Sequence, residues 1–531
     1  MVEPAAARSE RGNDDIGLLA RGGALGLIGL VTSGVFQLLL VVIVARGLGP
    51  AAAGVFLQAV ALFMILTKIG ELGANTGLVR TLSRFRALRQ TLDLRRAVDV
   101  AVWPVALAGA SLAVGTFASA PQLANVFFDD AHEAEAAELI RLLAPVLPLA
   151  TGTAVALAAT RGLGTMMPYV VVQNIALPAA RLLLVLGAVL AGLSGVAAGA
   201  AWALPVAVAY AVSTAALVRL LRRAEGRASG SARPARAASE LAAEFWRFSA
   251  PRGIAGILSI TVTWMDVLLV GALRSTREAA IYAAASRLAI VGAYALEAVG
   301  MAVAPRISAL LARDLGERVE ALYRTATSWL MALVWPFYLA VAVFSPWIMG
   351  IFGPEFVAGQ TALAILSGAM LLKLATGNVS TVLLMGGKSS WGLVNSASSL
   401  TLNVALNLIL TPRMGITGAA IAWAASLALV NVAPLVQVRL FLGLRPPWGG
   451  GFVLVALAAA ACYGGLGMAV RYGLGMSGAT FAVFVVSATG LYVAVLWRFR
   501  ELLHFSELLE GFRLRGRRPR WKAMTPQSAT E

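Results

Sequence analysis

Nine ionisable side chains fall inside apolar runs long enough to cross a bilayer: Lys68, Glu71, Arg141, Arg181, Arg252, Asp266, Arg287, Glu297 and Lys373. A charge at the centre of a membrane helix costs about 2.5 to 3.5 kcal/mol, so such residues face a protein interior or a wet cavity and mark a path for ions or substrate. On an ideal helix Arg252, Gly256, Ser259, Thr263 and Asp266 share one face. In the following span Arg287 and Tyr294 share another, with Glu297 one turn beyond, and a bland alternative pairs Arg287 with Asp266. Lys68, Glu71 and Asn75 recur at i, i+3 and i+7, a spacing that also suits a self-neutralised pair. Lys373, Thr376, Gly377, Ser380 and Thr381 form a further polar face, whereas Asn395, Ser399, Asn403 and Asn407 read chiefly as glue between helices. Arg181 is isolated, and Arg141 snorkels near a helix end. Six cations against three acids leave the set positive, which an anionic substrate balances. Phosphate or pyrophosphate fits best, because the guanidinium fork bonds phosphate oxygens in pairs.

Catalytic chemistry finds no such support. The two histidines, His132 and His504, have no metal-ligand neighbour, and no catalytic residue or metal site is assigned. No Gly-x-x-x-x-Gly-Lys-[Ser/Thr] loop occurs. The Asp129-Asp130 pair, a possible transferase site, sits in a short acidic loop without a large domain around it. An enzyme is therefore not expected.

The elements that must position these charges are membrane helices. The chain has 531 residues, 59% hydrophobic and 13% charged, with a mean hydropathy of +0.81. Its continuous apolar runs predict an all-α polytopic membrane protein of about 14 transmembrane helices and exclude the short alternating strands of a barrel. The net charge of +17 would suit nucleic acid in a soluble chain. Here roughly 32 of the 43 Lys and Arg fall on one side of the membrane and about five on the other, which makes the basic side cytoplasmic, both termini included. Membrane lipids, not nucleic acid, are the partners this predicts. Cys462, the single cysteine, excludes a disulfide framework.

The organisation reads as an N-lobe over residues 1–218, a basic linker over 219–246, a C-lobe over 247–440, two further helices over 441–497 and a basic tail over 498–531. The linker is rich in Arg, Ala, Ser and Gly and is expected to be flexible. The tail's apolar residues suggest an interfacial helix on anionic lipid. An internal repeat supports two lobes. At an offset of about 226, Ser33, Phe56, Glu71 and Arg80 match Ser259, Tyr282, Glu297 and Arg306, and Gln37 meets Thr263. Six spans per half give both halves the same orientation.

The sequences Arg46-Gly-Leu-Gly-Pro50, Gly54-Val-Phe56, Glu71-Leu-Gly73, Gly77-Leu-Val-Arg80, Trp264-Met-Asp266, Ile281 to Arg287, Ala304-Pro-Arg306 and Gly415 to Ala422 carry a family likeness. They resemble bacterial polysaccharide-biosynthesis flippases of the multidrug, oligosaccharidyl-lipid and polysaccharide exporter superfamily, over residues 18–440. The resemblance implies two six-helix lobes around a central cavity and alternating access that flips a lipid-linked sugar in the bacterial cytoplasmic (inner) membrane. It implies that Lys68, Arg252 and Arg287 hold the phosphates of a polyprenyl-linked oligosaccharide while Gln37, Ser259, Thr263, Asp266 and Tyr282 bond sugar hydroxyls or one another. Glu71, Glu297 and Lys373 are then candidates for ion coupling or gating. No cofactor is expected, and a coupling ion, H+ or Na+, stays open. Glycosyltransferases or a polymerase of the same pathway are candidate partners. The alternative is an ion-coupled antiporter of small organic cations, with Glu71, Asp266 and Glu297 as coupling groups. Gln37 stands where a drug exporter of that superfamily is expected to carry an acid, which counts against it.

Overall fold

The computed structural model describes residues 5–502 apart from 89, 91 and 227–236. The middle of the linker and nearly all of the basic tail, with its expected interfacial helix, lie outside the described residues. What is described is helical, with no strand. Helix α1, Ala5–Gly70, is two limbs joined at Gly49, whose φ of 76° is open to glycine and whose successor Pro50 starts the second limb. Among the described residues thirteen segments are long and apolar enough to cross a membrane, and the first, Gly29–Gly70, comprises both limbs, so these segments make fourteen passes. Trp103 (74% exposed), Leu190 (78%) and Val486 (74%) face outward, as lipid contact demands and water would not favour.

The first lobe continues with α2 (Ala74–Ala87), α3 (Leu92–Ala118), α4 (Ala120–Phe127), α5 (Glu133–Leu143) and α6 (Leu147–Gly162). A π-helical stretch, Tyr169–Ala176, leads into α7 (Leu177–Leu190), followed by α8 (Gly195–Ala203) and α9 (Pro205–Gly226). The second lobe holds α10 (Ala238–Leu273), α11 (Thr276–Ile290), α12 (Ala293–Leu311) and α13 (Gly316–Val343). It goes on through α14 (Ser345–Gly350), α15 (Gln360–Ala375), α16 (Val379–Met385), α17 (Ser389–Met414) and α18 (Ile416–Leu442). Helices α19 (Gly450–Ala459), α20 (Leu466–Leu474) and α21 (Gly478–Arg498) pack on one another, and α19 and α20 also pack on α13.

Part of the expected flexible linker is ordered helix, because α10 begins at Ala238. Leu241 and Phe245, one turn apart, bury an apolar stripe among Leu78, Leu82, Phe85 and Leu94 of the first lobe. An ion pair between Arg84 and Glu244 adds to that contact. Helix α10 is thus anchored at its start on one lobe and at its end on the other.

The second limb of α1 runs beside α10 and α11. Two glycines permit it. A Cβ on Gly54 would sit 2.0 Å from the Thr276 carbonyl oxygen, and one on Gly73 only 2.2 Å from that of Ser249. The lobes therefore touch near both ends of this limb, the Arg-rich end at Gly73 and the acidic-loop end at Gly54.

At the acidic end a polar clasp joins them. Asp129 accepts a 3.0 Å bond from the backbone N–H of Thr276, at the start of α11, and lies 2.5 Å from His132 Nδ1. Arg46 Nε, nearby in sequence to the first turn, bonds the Ile351 carbonyl at 2.6 Å. Burial raises the Asp129 carboxyl, but bonds from His132 and Thr276 outweigh it and leave the group below its ordinary value of 3.8. A depressed carboxylate contributes in full above that ordinary value and is lost as pH falls through the depressed one. The clasp should therefore hold unchanged from pH 8 to 5. With spin labels at Val126→Cys and Met414→Cys in a Cys462→Ser background, the parent protein should give one distance distribution across that range, and Asp129→Ala should lengthen or broaden it. An unaltered distribution in Asp129→Ala would remove the clasp.

Candidate functional site

The charges expected to act together occupy three places. The first lies near the Arg-rich end. Lys68 Nζ and Asn75 Nδ2 both bond Glu71 Oε2 at 2.7 Å, so the self-neutralised pair is what forms. Just past Glu71 the helix breaks, with Leu72 at φ 51° and Gly73 at 78°. Lys68 leans on α10, where a Cβ on Gly256 would meet its Cε at 3.0 Å. One turn toward the helix start is the exposed Arg252, and below it Phe248, whose ring carries Arg80 at 4.1 Å and Arg252 at 5.8 Å. In the sequence Arg80 stands out only as the repeat partner of Arg306 and the end of the Gly77-Leu-Val-Arg80 likeness, and its place beside Arg252 is not legible there.

The second place is higher on α10. Arg287 of α11 stacks on Trp264, with 3.7 Å from the guanidinium carbon to the ring centroid, and donates from Nη2 to the Thr263 carbonyl at 3.3 Å. Its Nε is buried without a partner, and the ionisable groups in charge reach are tyrosines, Tyr282 and Tyr294. The bland pairing with Asp266 does not form. Thr263 and Trp264 lie 11 to 12 residues past Arg252, about 16 to 18 Å along a helix axis. The three expected phosphate ligands thus divide, with Lys68 and Arg252 near one end and Arg287 deep in the protein. Ser259 and Gln37 are exposed, Gln37 bonded to Ser33 at 3.0 Å. Thr263 spends its hydroxyl on the Ser259 carbonyl at 3.0 Å.

The third place is inside the second lobe. Asp266, 2% exposed, accepts from Tyr282 Oη and from Asn407 Nδ2, each at 2.9 Å. Asn407 Oδ1 accepts from Thr411 at 2.9 Å. Asn403 is also beside Asp266; its Nδ2 reaches Ser426 at 3.4 Å, and its Oδ1 is buried without a partner. Among the described residues no Lys or Arg pairs with Asp266. Asp266 and Tyr282 are therefore drawn away from the polar face of α10 into the junction of α10, α11 and α17. The helical-wheel face from Arg252 to Asp266 twists out of one environment: its start is exposed and its end is core. The asparagines of α17, read chiefly as glue, are the other half of this site. Their regular polar spacing was the signal.

Glu297 is exposed on α12, and Lys373 of α15 lies within charge reach of it without a direct bond. Beyond Lys373 the helix opens at Gly377 (φ 56°), where Thr327 packs beneath and Tyr323 bonds the freed Thr376 carbonyl at 2.5 Å.

The described residues form a lobed bundle of membrane-length helices with partly unpaired cations inside it, which defines an all-α polytopic membrane protein. Solved structures agree on the fold. The chain is similar over 90% of its length to 99% of the lipid II flippase MurJ in an inward closed conformation, with a TM-score of 0.69 at 12% identity. It is also similar over 77% of its length to 94% of an inward-facing multidrug resistance MATE family transporter of the MOP superfamily, at 0.62 and 16%. The family model for polysaccharide biosynthesis proteins matches residues 19–311, and the chain belongs to that family. A probable low-salt glycan biosynthesis flippase, Agl15 of Haloferax volcanii, is 28% identical over 184 residues, 34% of this chain. The match spans 39% of that relative's own length.

The buried Asp266 cluster generates a prediction about stability. Tyr282→Phe and Asn407→Leu should each lower the melting temperature of the purified protein. Because both bond one carboxylate, the double variant should depart from additivity by about 1 kcal/mol. Additive losses in a double-variant cycle would mean that the carboxylate does not couple them.

Proposed function

We propose that this protein carries a polyprenyl-(pyro)phosphate-linked oligosaccharide across the bacterial cytoplasmic membrane for cell-surface polysaccharide biosynthesis. The observation that carries the reading is Arg287: a guanidinium deep in the membrane, fixed on Trp264, with no carboxylate to balance it. A phosphate supplies that balance and matches the fork of donors. Membership of the polysaccharide biosynthesis family and the partial likeness to a probable glycan flippase support the same reading. The Arg-rich end faces the cytoplasm by the positive-inside rule.

In this mechanism Arg252, with Arg80 beside it, meets the anionic headgroup at the cytoplasmic mouth. Arg287 receives it deeper, while exposed groups such as Gln37 and Ser259 bond sugar hydroxyls. Lys68 acts with Glu71 as a neutral pair on the helix that rocks, a gating role more than a phosphate ligand. The lobes alternate access about α10, which is anchored on both, and the Asp129 clasp is the contact that parts at the acidic end. The work is transport, and catalysis is assigned to none of these residues.

Asp266 is the group we assign to ion coupling, ahead of Glu71 and Glu297. It is a buried carboxylate held by donors from Tyr282, Asn407 and Asn403 and paired with no Lys or Arg among the described residues. The antiporter of organic cations is disfavoured, because Glu71 is already neutralised by Lys68.

Replacing both Arg252 and Arg287 with alanine should abolish glycan export while the protein still accumulates in the membrane. Normal surface polysaccharide in that double variant would remove the phosphate role. Heightened drug sensitivity of a deletion strain with intact surface glycan would favour the antiporter.

A further inference from the structure

Arg181 repeats, in the first lobe, the arrangement of Arg287 in the second. It is half-buried on the face of α7 that also carries the buried Leu177, Val185 and Ala188. Its guanidinium carbon lies 3.7 Å from the Trp202 ring centroid, the same separation as Arg287 from Trp264. Its Nε donates to the Trp202 carbonyl at 3.2 Å, as Arg287 donates to that of Thr263. Trp202 is held in turn, 2% exposed, edge-on to Phe56 at 6.4 Å and to Phe63 at 5.4 Å. The orientation of the guanidinium is thereby built in.

Its charge is not met. Among the described residues no ionised side chain lies within charge reach of Arg181, and its Nη nitrogens have no acceptor. Glu135 is against Gly195, at the start of α8, about two helical turns from Trp202 toward the acidic end. Glu71, the intramembrane acid of this lobe, is spent on Lys68 and Asn75. A structural strut between α7 and α8 needs only one donor and no charge. An arginine left unpaired in a membrane lobe carries a solvation cost that an apolar side chain would avoid.

We propose that Arg181 is a second anion-recognition residue, the first-lobe counterpart of Arg287, and takes a phosphate oxygen of the lipid carrier. This rests on the flippase reading and extends it. The substrate is held by one guanidinium from each lobe, so an anionic group on the carrier is what the lobes share as they exchange access.

The test uses the full chain in nanodiscs of zwitterionic lipid, with farnesyl pyrophosphate as the probe. Arg181→Met keeps a flexible apolar side chain against Trp202 and removes the charge and the fork. Arg181→Lys keeps the charge and loses the fork. Arg181→Met should weaken probe binding by about tenfold or more, the worth of one bond to a charged group, with Arg181→Lys between it and the parent. Arg287→Met should lose a comparable factor. Unchanged affinity in Arg181→Met, with the loss confined to Arg287→Met, makes Arg181 a strut and overturns the inference while the flippase reading stands. Absence of binding by the parent protein overturns both. Two further arms separate the sources of phosphate. Inorganic pyrophosphate bound as tightly as the prenyl form, or loss of probe binding on adding phosphatidylglycerol to the disc, assigns the site to a free anion or bulk headgroup and overturns its assignment to the carrier.

Discussion

An ion within a bilayer has no water to turn to, and every intramembrane charge here must be balanced by something the fold supplies or by something it transports. The fold supplies balance for most of them. Lys68 has Glu71 and Lys373 faces Glu297, while Asp266 is surrounded by hydroxyl and amide donors. Arg287 and Arg181 are different: each has a tryptophan face and a carbonyl but no carboxylate. Stacking orients a guanidinium without cancelling its charge. On the proposed reading the transported molecule does so, and the identity proposed for it follows from that deficit more than from any one motif.

The same lack of water explains the packing between lobes. With no hydrophobic drive between membrane helices, association depends on close approach and polar contacts. Gly54 and Gly73 let the backbones of the two lobes nearly touch, and Asp129 bonds across them at the acidic end. At these two glycines the approach is backbone to backbone, whereas nearby Leu241 and Phe245 lock the start of α10 into the first lobe. Helix interruptions occur at Leu72 and Gly73, at one of these contacts, and at Val291 and Gly292 in the second lobe. At the latter, Tyr338 accepts from the Gly292 N–H at 3.0 Å and donates to the Ala289 carbonyl at 2.5 Å, which satisfies backbone groups that a straight helix would pair itself.

Much of the architecture was legible because apolar run length sets the membrane passes directly. The Gly47-Leu48-Gly49-Pro50 turn separated the first two passes even though the helix runs on through it, since glycine and proline mark backbone conformation locally. The i, i+3 spacing of Lys68 and Glu71 likewise contained their pairing. What spacing could not convey was which neighbour a face meets. Asp266 shares a wheel face with Arg252, yet Tyr282 and Asn407 draw it into the core, and those partners lie 16 and 141 positions away. Arg181 looked isolated for the same reason: Trp202 is on another helix, and its stacking leaves no periodic trace. The start of α10 was hidden by composition, because Leu241 and Phe245 are two apolar residues among many small and charged ones.

The central claim is that the protein moves a lipid-linked glycan between leaflets. Its most direct test is mass spectrometry of polyprenyl-linked glycans in a conditional depletion strain, with sidedness probed by a membrane-impermeant lectin. Depletion should cause one lipid-linked glycan to accumulate, shielded from the lectin on the cytoplasmic face, and should name the substrate. A lipid-linked pool unchanged in amount and in sidedness would contradict the account.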